Sequence, residues 1–272
     1  MIPITEQSSL YDQLENKSVE ELTSYINQED QKVAKAIKEV LPDVNRLITA
    51  IVDKLKAGGR MFYLGAGSGG RLSVLDVIEL PTTYGLPKGV YNTILAGGVD
   101  RLADALEQKE DDLSEGWDAL EKAGINSGDI VVGISASGTT PFVLEGLKKC
   151  RSRNISTGCI VSNPATPIAA QADYPVAVIT GPEFITGSTR MKCGTAQKML
   201  FDMISTTVMI RIGRIEGNSM VNVNPINDKI LDRAVKILMQ KIGIENYDEA
   251  KSMILAHGTV KNAMLELEKK NN

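Results

Sequence analysis

Three loops rich in glycine, serine and threonine carry the residues of this chain that are best suited to bind an anion. They have the sequences Gly67-Ser68-Gly69-Gly70-Arg71, Ser135-Ala136-Ser137-Gly138-Thr139-Thr140 and Gly187-Ser188-Thr189-Arg190-Met191-Lys192. Hydroxyl groups and backbone N–H groups at the start of a helix can surround one phosphate with short hydrogen bonds. The second loop directly follows the apolar run VVGI and predicts such a site most strongly. An ordinary Ser/Thr helix cap without a ligand is the alternative for this loop.

The first loop also has the Gly65-x-Gly67-x-x-Gly70 spacing of dinucleotide-binding proteins. That interpretation requires an acidic residue about 20 positions later, at the end of the second strand. The second apolar run of this chain ends in TILAGG, without an acid, and the Gly-Lys-Ser/Thr sequence of a P-loop is absent. The spacing is therefore weak evidence for a nucleotide, and we predict no cofactor.

The elements that position these loops follow from the hydrophobic pattern. From residue 60 onward, five short apolar runs each precede a helical pattern, for example VYNTILAGG before VDRLADALEQKEDD. This alternation predicts an α/β fold with a doubly wound parallel five-stranded sheet, in which ligands bind beyond the carboxyl ends of the strands. Two helices are predicted within 18–59, the second at about 43–56 after a break at Pro42. We expect an N-terminal helical segment at 1–58, the α/β domain at 59–222 and a short C-terminal helical tail at 223–272, in which Gly258 ends a helix.

Composition and charge exclude several classes of function. The chain has 272 residues, 43% hydrophobic residues and a net charge of −4, with no block of basic residues. These values favour neither a nucleic-acid nor a membrane partner, and no run approaches the ~18 apolar residues of a membrane span. The N-terminal sequence is polar, and the three cysteines show no metal-ligand spacing, so we expect a cytoplasmic protein without a metal site. The single histidine, His257, makes a histidine-based triad or zinc site improbable on composition alone.

Longer segments extend the phosphate-loop interpretation. SASGTTP resembles the phosphate loop of the sugar isomerase (SIS) fold, which binds phosphosugars. In order, GAGSGGRLSVLDVIELPTTYG, LAGG, ALEQKEDD and TGSTRMKCGTAQKMLFDMISTTVMI resemble the N-acetylmuramic acid 6-phosphate etherase family over about 18–240. The resemblance implies a cytoplasmic homodimer of amino-sugar metabolism and cell-wall recycling. Its implied reaction releases D-lactate from C3 of the sugar by elimination and then water addition, leaving N-acetylglucosamine 6-phosphate, without a metal.

The resemblance also assigns two catalytic glutamates. Glu79, in the segment Glu79-Leu80-Pro81-Thr82-Thr83-Tyr84-Gly85, matches the proton donor to the leaving lactate. Its apolar neighbours and its place at the end of a helix halted by Pro81 would both disfavour a carboxylate, so we expect a buried, protonated acid. Glu110 matches the base that removes the C2 proton. Its charged surroundings, EQKEDD, alone predict a solvated helix face, so its role rests on the resemblance.

The implied substrate-binding residues come from all three loops: Ser68, Ser135, Ser137, Thr139, Thr140, Ser188, Arg190 and Lys192. Arg190 could pair with the phosphate or with the lactyl carboxylate. The chain also departs from the family pattern, with Gly69 in place of serine, Ser135 in place of alanine and Thr139 in place of arginine. A hydroxyl is thus lost from one loop and gained in another. A phosphosugar-sensing regulator without catalysis and a phosphosugar isomerase are the alternative functions.

Overall fold

Five buried apolar segments form the strands of one parallel sheet in the computed structural model, which describes residues 2–104 and 106–271. Every residue of the first and third strands is buried, as expected where helices cover both faces of a sheet. The predicted five-stranded parallel sheet is confirmed. The strands are β1 (Met61–Gly65), β2 (Tyr91–Leu95), β3 (Ile130–Ser135), β4 (Ser156–Val161) and β5 (Tyr174–Ala177).

The strand order, β2-β1-β3-β4-β5, reverses direction next to β1. Met61 of β1 pairs with Tyr91 of β2 on one side and with Ile130 of β3 on the other. The chain therefore leaves β1 toward one edge of the sheet and later returns to β3 on the opposite side. In open α/β sheets, ligands bind in the crevice at such a reversal, beyond the carboxyl ends of the strands. The loops that follow β1 and β3 border this crevice.

The two predicted N-terminal helices are confirmed as α1 (Val19–Glu39) and α2 (Leu41–Lys56). Ser18 begins α1 with a capping box in which its hydroxyl accepts from the N–H of Glu21. Pro42 lies in the first turn of α2, where its missing N–H would have had no partner inside the helix. The proline therefore marks the start of the second helix as well as the end of the first.

Two sequence-based expectations about helices are wrong. The helix α3 (Gly67–Tyr84) is not halted by Pro81 but continues through it, since a proline so close to the helix end removes only one late backbone donor. The helix expected over VDRLADALEQKEDD is replaced by two 3₁₀ helices, Val99–Arg101 and Glu107–Asp111, and Ala105 of this stretch lies outside the described residues.

Local capping explains why that stretch is not one helix. Gly97 and Gly98 both have positive φ and interrupt the chain directly after β2. The Asp112 carboxylate then accepts from the N–H groups of Ser114 and Glu115, which holds the pKa of Asp112 below its usual range. These bonds start α4 (Glu115–Lys122) three residues later. The acidic run thereby forms a short 3₁₀ turn between β2 and α4.

The described chain divides into two compact units. The first comprises Met1–Val77 and Tyr91–Ile204, and the second comprises Ile78–Val90 and Ser205–Asn272. The first contains the sheet, α5 (Pro141–Ser152) and the start of α6 (Lys192–Arg211), around a core that includes Phe62, Leu64, Val131, Phe142, Val143 and Leu147. None of the helices in the described part of the chain is long and apolar enough to cross a membrane.

The second unit is helical and has its own apolar core. It contains α7 (Asp228–Ile242), α8 (Tyr247–His257) and α9 (Val260–Asn271). Gly258 ends α8 with a positive φ of 78°, as the sequence predicted. The core residues of this unit are Val221, Val223, Ala234, Val235, Leu238, Ala250, Ile254, Val260 and Ala263.

Candidate active site

A cavity of about 330 Å³ lies in the first unit, where the loops after β1 and β3 meet. It brings together four of the predicted phosphate-binding residues, Ser68, Ser135, Ser137 and Thr140. Hydroxyl groups from the starts of two helices therefore line one space, as phosphate binding requires. The remaining lining residues are Glu6, Ala66, Gly67, Gly69, Arg71, Glu107, Glu110, Ile134, Ala136, Gly187, Thr189 and Gln197.

The first loop makes room for a carboxylate. Gly67 has a φ of +52°, and a Cβ at this position would lie 2.6 Å from Oε1 of Glu110. Only glycine combines this backbone conformation with so close a neighbour at low cost. The Glu110 side chain consequently packs directly against the loop that carries Ser68.

Glu110 and Glu107 are neighbouring carboxyl groups whose pKa values are shifted in opposite directions. Burial of Glu110, its hydrogen bond with Glu107 and the charge of Glu107 together raise the pKa of Glu110 to about 7. A hydrogen bond from Arg71, whose Nη2 lies 2.5 Å from Oε1 of Glu107, lowers the pKa of Glu107. Glu107 therefore stays ionised, while Glu110 exchanges a proton near neutral pH. A pKa close to the working pH suits a general base.

The sequence-based expectation of a solvated face around Glu110 is correct only for its neighbours. Glu107 and Asp111 are exposed, whereas Glu110 is half-buried. The difference arises because the 3₁₀ turn of Glu107–Asp111 directs one of its carboxylates onto Gly67. No pattern within the acidic run itself could have distinguished that residue.

The second loop is held in shape by its own hydroxyl groups. Ser135 is buried, and its Oγ accepts from the N–H of Gly138 at 3.0 Å and lies 2.8 Å from Oγ1 of Thr140. Ser137 Oγ accepts from both the N–H and the hydroxyl of Thr139, at 3.2 and 3.1 Å. The hydroxyl of Ser135, a residue at which the family has alanine, thus stabilises the loop through hydrogen bonds within it. Thr139 is exposed and does not line the cavity.

The third loop contributes different residues from those expected. Gly187 and Thr189 line the cavity, whereas Ser188 is half-buried outside the lining and Arg190 is exposed. The arginine that lines the cavity is Arg71, near the start of α3. Arg71 belongs to the first of the three predicted loops, and its position directly after Gly70 is the sequence signal for this residue.

Lys192 does not take the expected position in the anion site. Its side chain is 2% exposed, and its Nζ lies 2.6 Å from Oε2 of the equally buried Glu29 on α1. Glu29 also accepts from Lys32 and from the hydroxyl of Tyr11. Burial alone would raise the pKa of Glu29, but these hydrogen bonds outweigh it and lower the pKa. The Lys192 ammonium is therefore part of a buried ion pair that fixes α6 to α1.

The N-terminus of α6 is likewise occupied by the protein itself. Oε2 and Oε1 of the fully buried Glu183 accept from the N–H groups of Lys192 and Cys193, both at 2.9 Å. A carboxylate at this end of a helix offsets the helix dipole in the way that a bound anion would. Of the three helix starts predicted to bind an anion, those of α3 and α5 remain for the ligand.

Gly69, the departure from the family pattern in the first loop, has a packing explanation. A Cβ at this position would lie 2.8 Å from Cγ2 of Ile134 and 2.9 Å from Oε1 of Gln197. The Gln197 side chain, which lines the cavity from α6, thus fills the space beside Gly69. An amide of this kind can both donate and accept hydrogen bonds at the position where the loop lacks a hydroxyl.

Glu79 is not buried as expected. It lies on the part of α3 that belongs to the second unit, and its side chain is exposed, as is that of its neighbour Ile78. The apolar residues around it in the sequence do not enclose it, because α3 continues past Pro81 and turns Leu80 rather than Glu79 inward. Its assignment as the proton donor stays a prediction.

None of the three cysteines is a candidate nucleophile. Cys150, Cys159 and Cys193 are free and buried. Burial raises the pKa of each thiol to about 12, so that almost no reactive thiolate forms at neutral pH.

Comparison with known proteins first defines the class. Residues 43–151 match the glucokinase regulatory protein N-terminal SIS domain, and residues 114–206 match the SIS domain. A phosphoheptose isomerase from Francisella tularensis has a TM-score of 0.53 at 16% identity, over 73% of this chain and 100% of its own. A phosphoheptose isomerase from Neisseria gonorrhoeae has a TM-score of 0.52 at 17% identity, over 70% and 97%. At such identities the structures show the fold alone, and this protein is an α/β protein of the SIS-domain class.

More similar relatives define the family. A protein of Bacteroides thetaiotaomicron named N-acetylmuramic acid 6-phosphate etherase is 49% identical over 97% of this chain and 95% of its own length. A protein of the same name from Porphyromonas gingivalis is 49% identical over 98% of this chain and 97% of its own. The chain belongs to the N-acetylmuramic acid 6-phosphate etherase family, and it is an enzyme of the carbon–oxygen lyase class. The predicted family and SIS fold are confirmed.

Proposed function

We propose that this enzyme cleaves the D-lactyl ether of N-acetylmuramic acid 6-phosphate to give N-acetylglucosamine 6-phosphate and D-lactate. One observation supports the proposal above the others. Glu110, with a pKa of about 7, lies against the loop of Ser68 in a cavity lined by hydroxyl groups from two helix starts. A proton acceptor beside a phosphate-binding surface is the arrangement that elimination from a phosphosugar requires.

The phosphate is bound by the hydroxyl groups of Ser68, Ser137 and Thr140, with the N-termini of α3 and α5 behind them. Arg71 adds a positive charge to the same cavity, offset in part by Glu107. Ser188 and Arg190 remain assigned to the substrate by family resemblance. Arg190 is exposed and therefore free to pair with a carboxylate such as that of the lactyl group.

The chemical step begins with the open-chain aldehyde form of the sugar. Glu110 removes the proton from C2, which the neighbouring carbonyl acidifies, and the electron pair forms the C2–C3 double bond as the C3–O bond breaks. The family resemblance assigns the donation of a proton to the departing lactyl oxygen to Glu79. Water then adds across the double bond, with its oxygen on C3 and a proton on C2. The sum is hydrolysis of the ether, and these side chains carry it by proton transfer alone.

The family resemblance supports two further parts of the proposal, a homodimeric assembly and a cytoplasmic location. Three free, buried thiols are compatible with a reducing compartment. Sedimentation of the purified protein would measure the assembly, and a monomer at micromolar concentration would contradict that part of the proposal.

The decisive assay is release of D-lactate from N-acetylmuramic acid 6-phosphate by the purified protein. Glu110→Gln should lower the rate by about 10²- to 10⁴-fold, the usual contribution of a general base. Asp111→Asn, one residue away and exposed, removes the same charge and should leave the rate within about twofold, because charges at exposed sites are screened by solvent. Absence of lactate with folded wild-type protein would refute the proposal.

A regulator that senses phosphosugars without catalysis is the second candidate. It is favoured by the match of residues 43–151 to the glucokinase regulatory protein N-terminal SIS domain. Stabilisation by N-acetylglucosamine 6-phosphate without any turnover would support it. Interconversion of sugar phosphates without lactate release would instead indicate an isomerase.

A further inference from the structure

The N-terminal segment, defined here as residues 2–11, is built into the wall of the cavity. Thr5 is buried, its N–H donates to Oδ1 of Asn163 at 3.2 Å, and Nδ2 of Asn163 donates to Oγ1 of Thr5 at 2.9 Å. The same Nδ2 lies 3.1 Å from the carbonyl oxygen of Ser137. One buried asparagine amide thus joins the N-terminal segment to the second phosphate loop.

A second attachment lies a few residues further along the segment. The Ser9 hydroxyl donates to the carbonyl of Phe184 at 2.7 Å, and the Ser9 N–H donates to Oγ1 of Thr186 at 2.9 Å. Phe184 and Thr186 directly precede the third loop. The segment is therefore held on both sides of Glu6, at Thr5 and at Ser9, and these contacts fix the backbone position of Glu6.

Between these attachments, Glu6 is an exposed residue that lines the cavity. Its Oε2 lies 3.4 Å from the position that a Cβ of Gly187 would take, so the third loop passes directly beside it. Among the described residues, no hydrogen bond or ion pair engages this carboxylate. Its acceptor capacity is available to a ligand.

The chemistry of a carboxylate determines which part of a ligand Glu6 can contact. An ionised carboxylate only accepts hydrogen bonds, and a phosphate group is likewise an acceptor and an anion, so the two repel each other. The donors on an amino-sugar phosphate are its hydroxyl groups and its amide N–H. We propose that Glu6 is a specificity residue that accepts hydrogen bonds from the sugar part of the substrate. This inference rests on the proposed function only in taking the cavity as a phosphosugar site.

Titration calorimetry with two ligands separates this role from a general effect on the site. In Glu6→Ala, the dissociation constant for N-acetylglucosamine 6-phosphate should rise about 10- to 30-fold, as for loss of a hydrogen bond to a charged group. The dissociation constant for inorganic phosphate should stay the same or fall, because a like charge has been removed. Glu6→Gln, which retains an acceptor oxygen, should lose less affinity for the sugar phosphate. Glu15→Ala changes an exposed glutamate that does not line the cavity and should behave as wild type.

The outcomes are distinct. Equal weakening of both ligands in Glu6→Ala would show that the residue only shapes the loops, and unchanged sugar affinity would also overturn the inference. Lack of N-acetylglucosamine 6-phosphate binding by the wild type would overturn it as well. If the wild type binds this ligand selectively through Glu6 but releases no lactate, the proposed activity fails while the role of Glu6 stands.

Discussion

The proton affinity of Glu110 should control how the reaction depends on pH. In its proposed role as the base, Glu110 must be deprotonated, so kcat/KM for D-lactate release should rise with pH and level off above an inflection near its pKa of about 7. Glu107→Gln should move this inflection downward. The substitution removes a neighbouring negative charge and also releases Arg71 from its ion pair, and both changes favour the ionised form of Glu110.

The size of the shift follows from the causes of the raised pKa. Burial of Glu110 is the largest cause and is unchanged by the substitution, while the hydrogen bond and charge of Glu107 follow. The Glu107 side chain is 64% exposed, so water screens its charge. We therefore expect the inflection to fall by about one pH unit, which corresponds to about 1.4 kcal/mol in the ionisation of Glu110. At pH 6 the ionised fraction, and with it the relative rate, should rise about fivefold.

The assay is kcat/KM for lactate release from pH 5 to 9, each variant normalised to its own plateau. The plateau itself should fall a few-fold, because a weaker base transfers protons less effectively. Asp111→Asn is the matched control, since Asp111 is the smallest of the charges that raise the pKa of Glu110, and its inflection should stay within about 0.3 pH units of wild type. An inflection in Glu107→Gln that is unchanged or higher would refute the assignment of Glu110 as the titrating base.

Three further predictions concern the framework of the site. Lys192→Met should lower the free energy of unfolding in urea by about 3 kcal/mol, because it leaves the buried Glu29 carboxylate without its buried partner, whereas Lys32→Met at a half-exposed position should cost under about 1 kcal/mol. The stability difference between wild type and Glu29→Gln should be largest above about pH 5 and narrow as the pH falls, because the pKa of Glu29 is lowered in the folded protein. Gly67→Ala should lose at least about tenfold in lactate release by displacing Glu110, whereas Gly58→Ala, where φ is also positive but a Cβ meets open space, should lose only about 1 kcal/mol of stability.

The sheet and its phosphate loop were predictable from the sequence because their signals are local. Apolar runs rich in β-branched residues, such as IVVGIS, predict a buried strand between two layers of helices. A hydroxyl-rich loop directly after such a strand then lies at the carboxyl edge by necessity. Once the strand order is known, the meeting of the Ser68 and Ser137 loops at the reversal point follows.

The positions of Lys192 and Glu110 differ from the predictions because they depend on contacts between residues that are far apart in the sequence. Lys192 is buried because Glu29, 163 residues earlier, lies opposite it. Glu110 differs from its acidic neighbours only because Gly67, on another element, leaves space for it. The environment of Glu79 differs from the prediction for a simpler reason. Its neighbours in sequence are apolar, but α3 directs the Glu79 side chain to solvent.

The Glu183 carboxylate at the start of α6 has a consequence for the protein between turnovers. The buried carboxylate of Glu183 balances the dipole of α6 whether or not a ligand is bound. Departure of the product therefore leaves the charge at this helix start unchanged. The segment carrying Thr189 can keep its arrangement while the cavity stands empty. In the proposed site, an arriving sugar phosphate would meet one wall that is already formed, so that ordering this wall would cost little of its binding free energy.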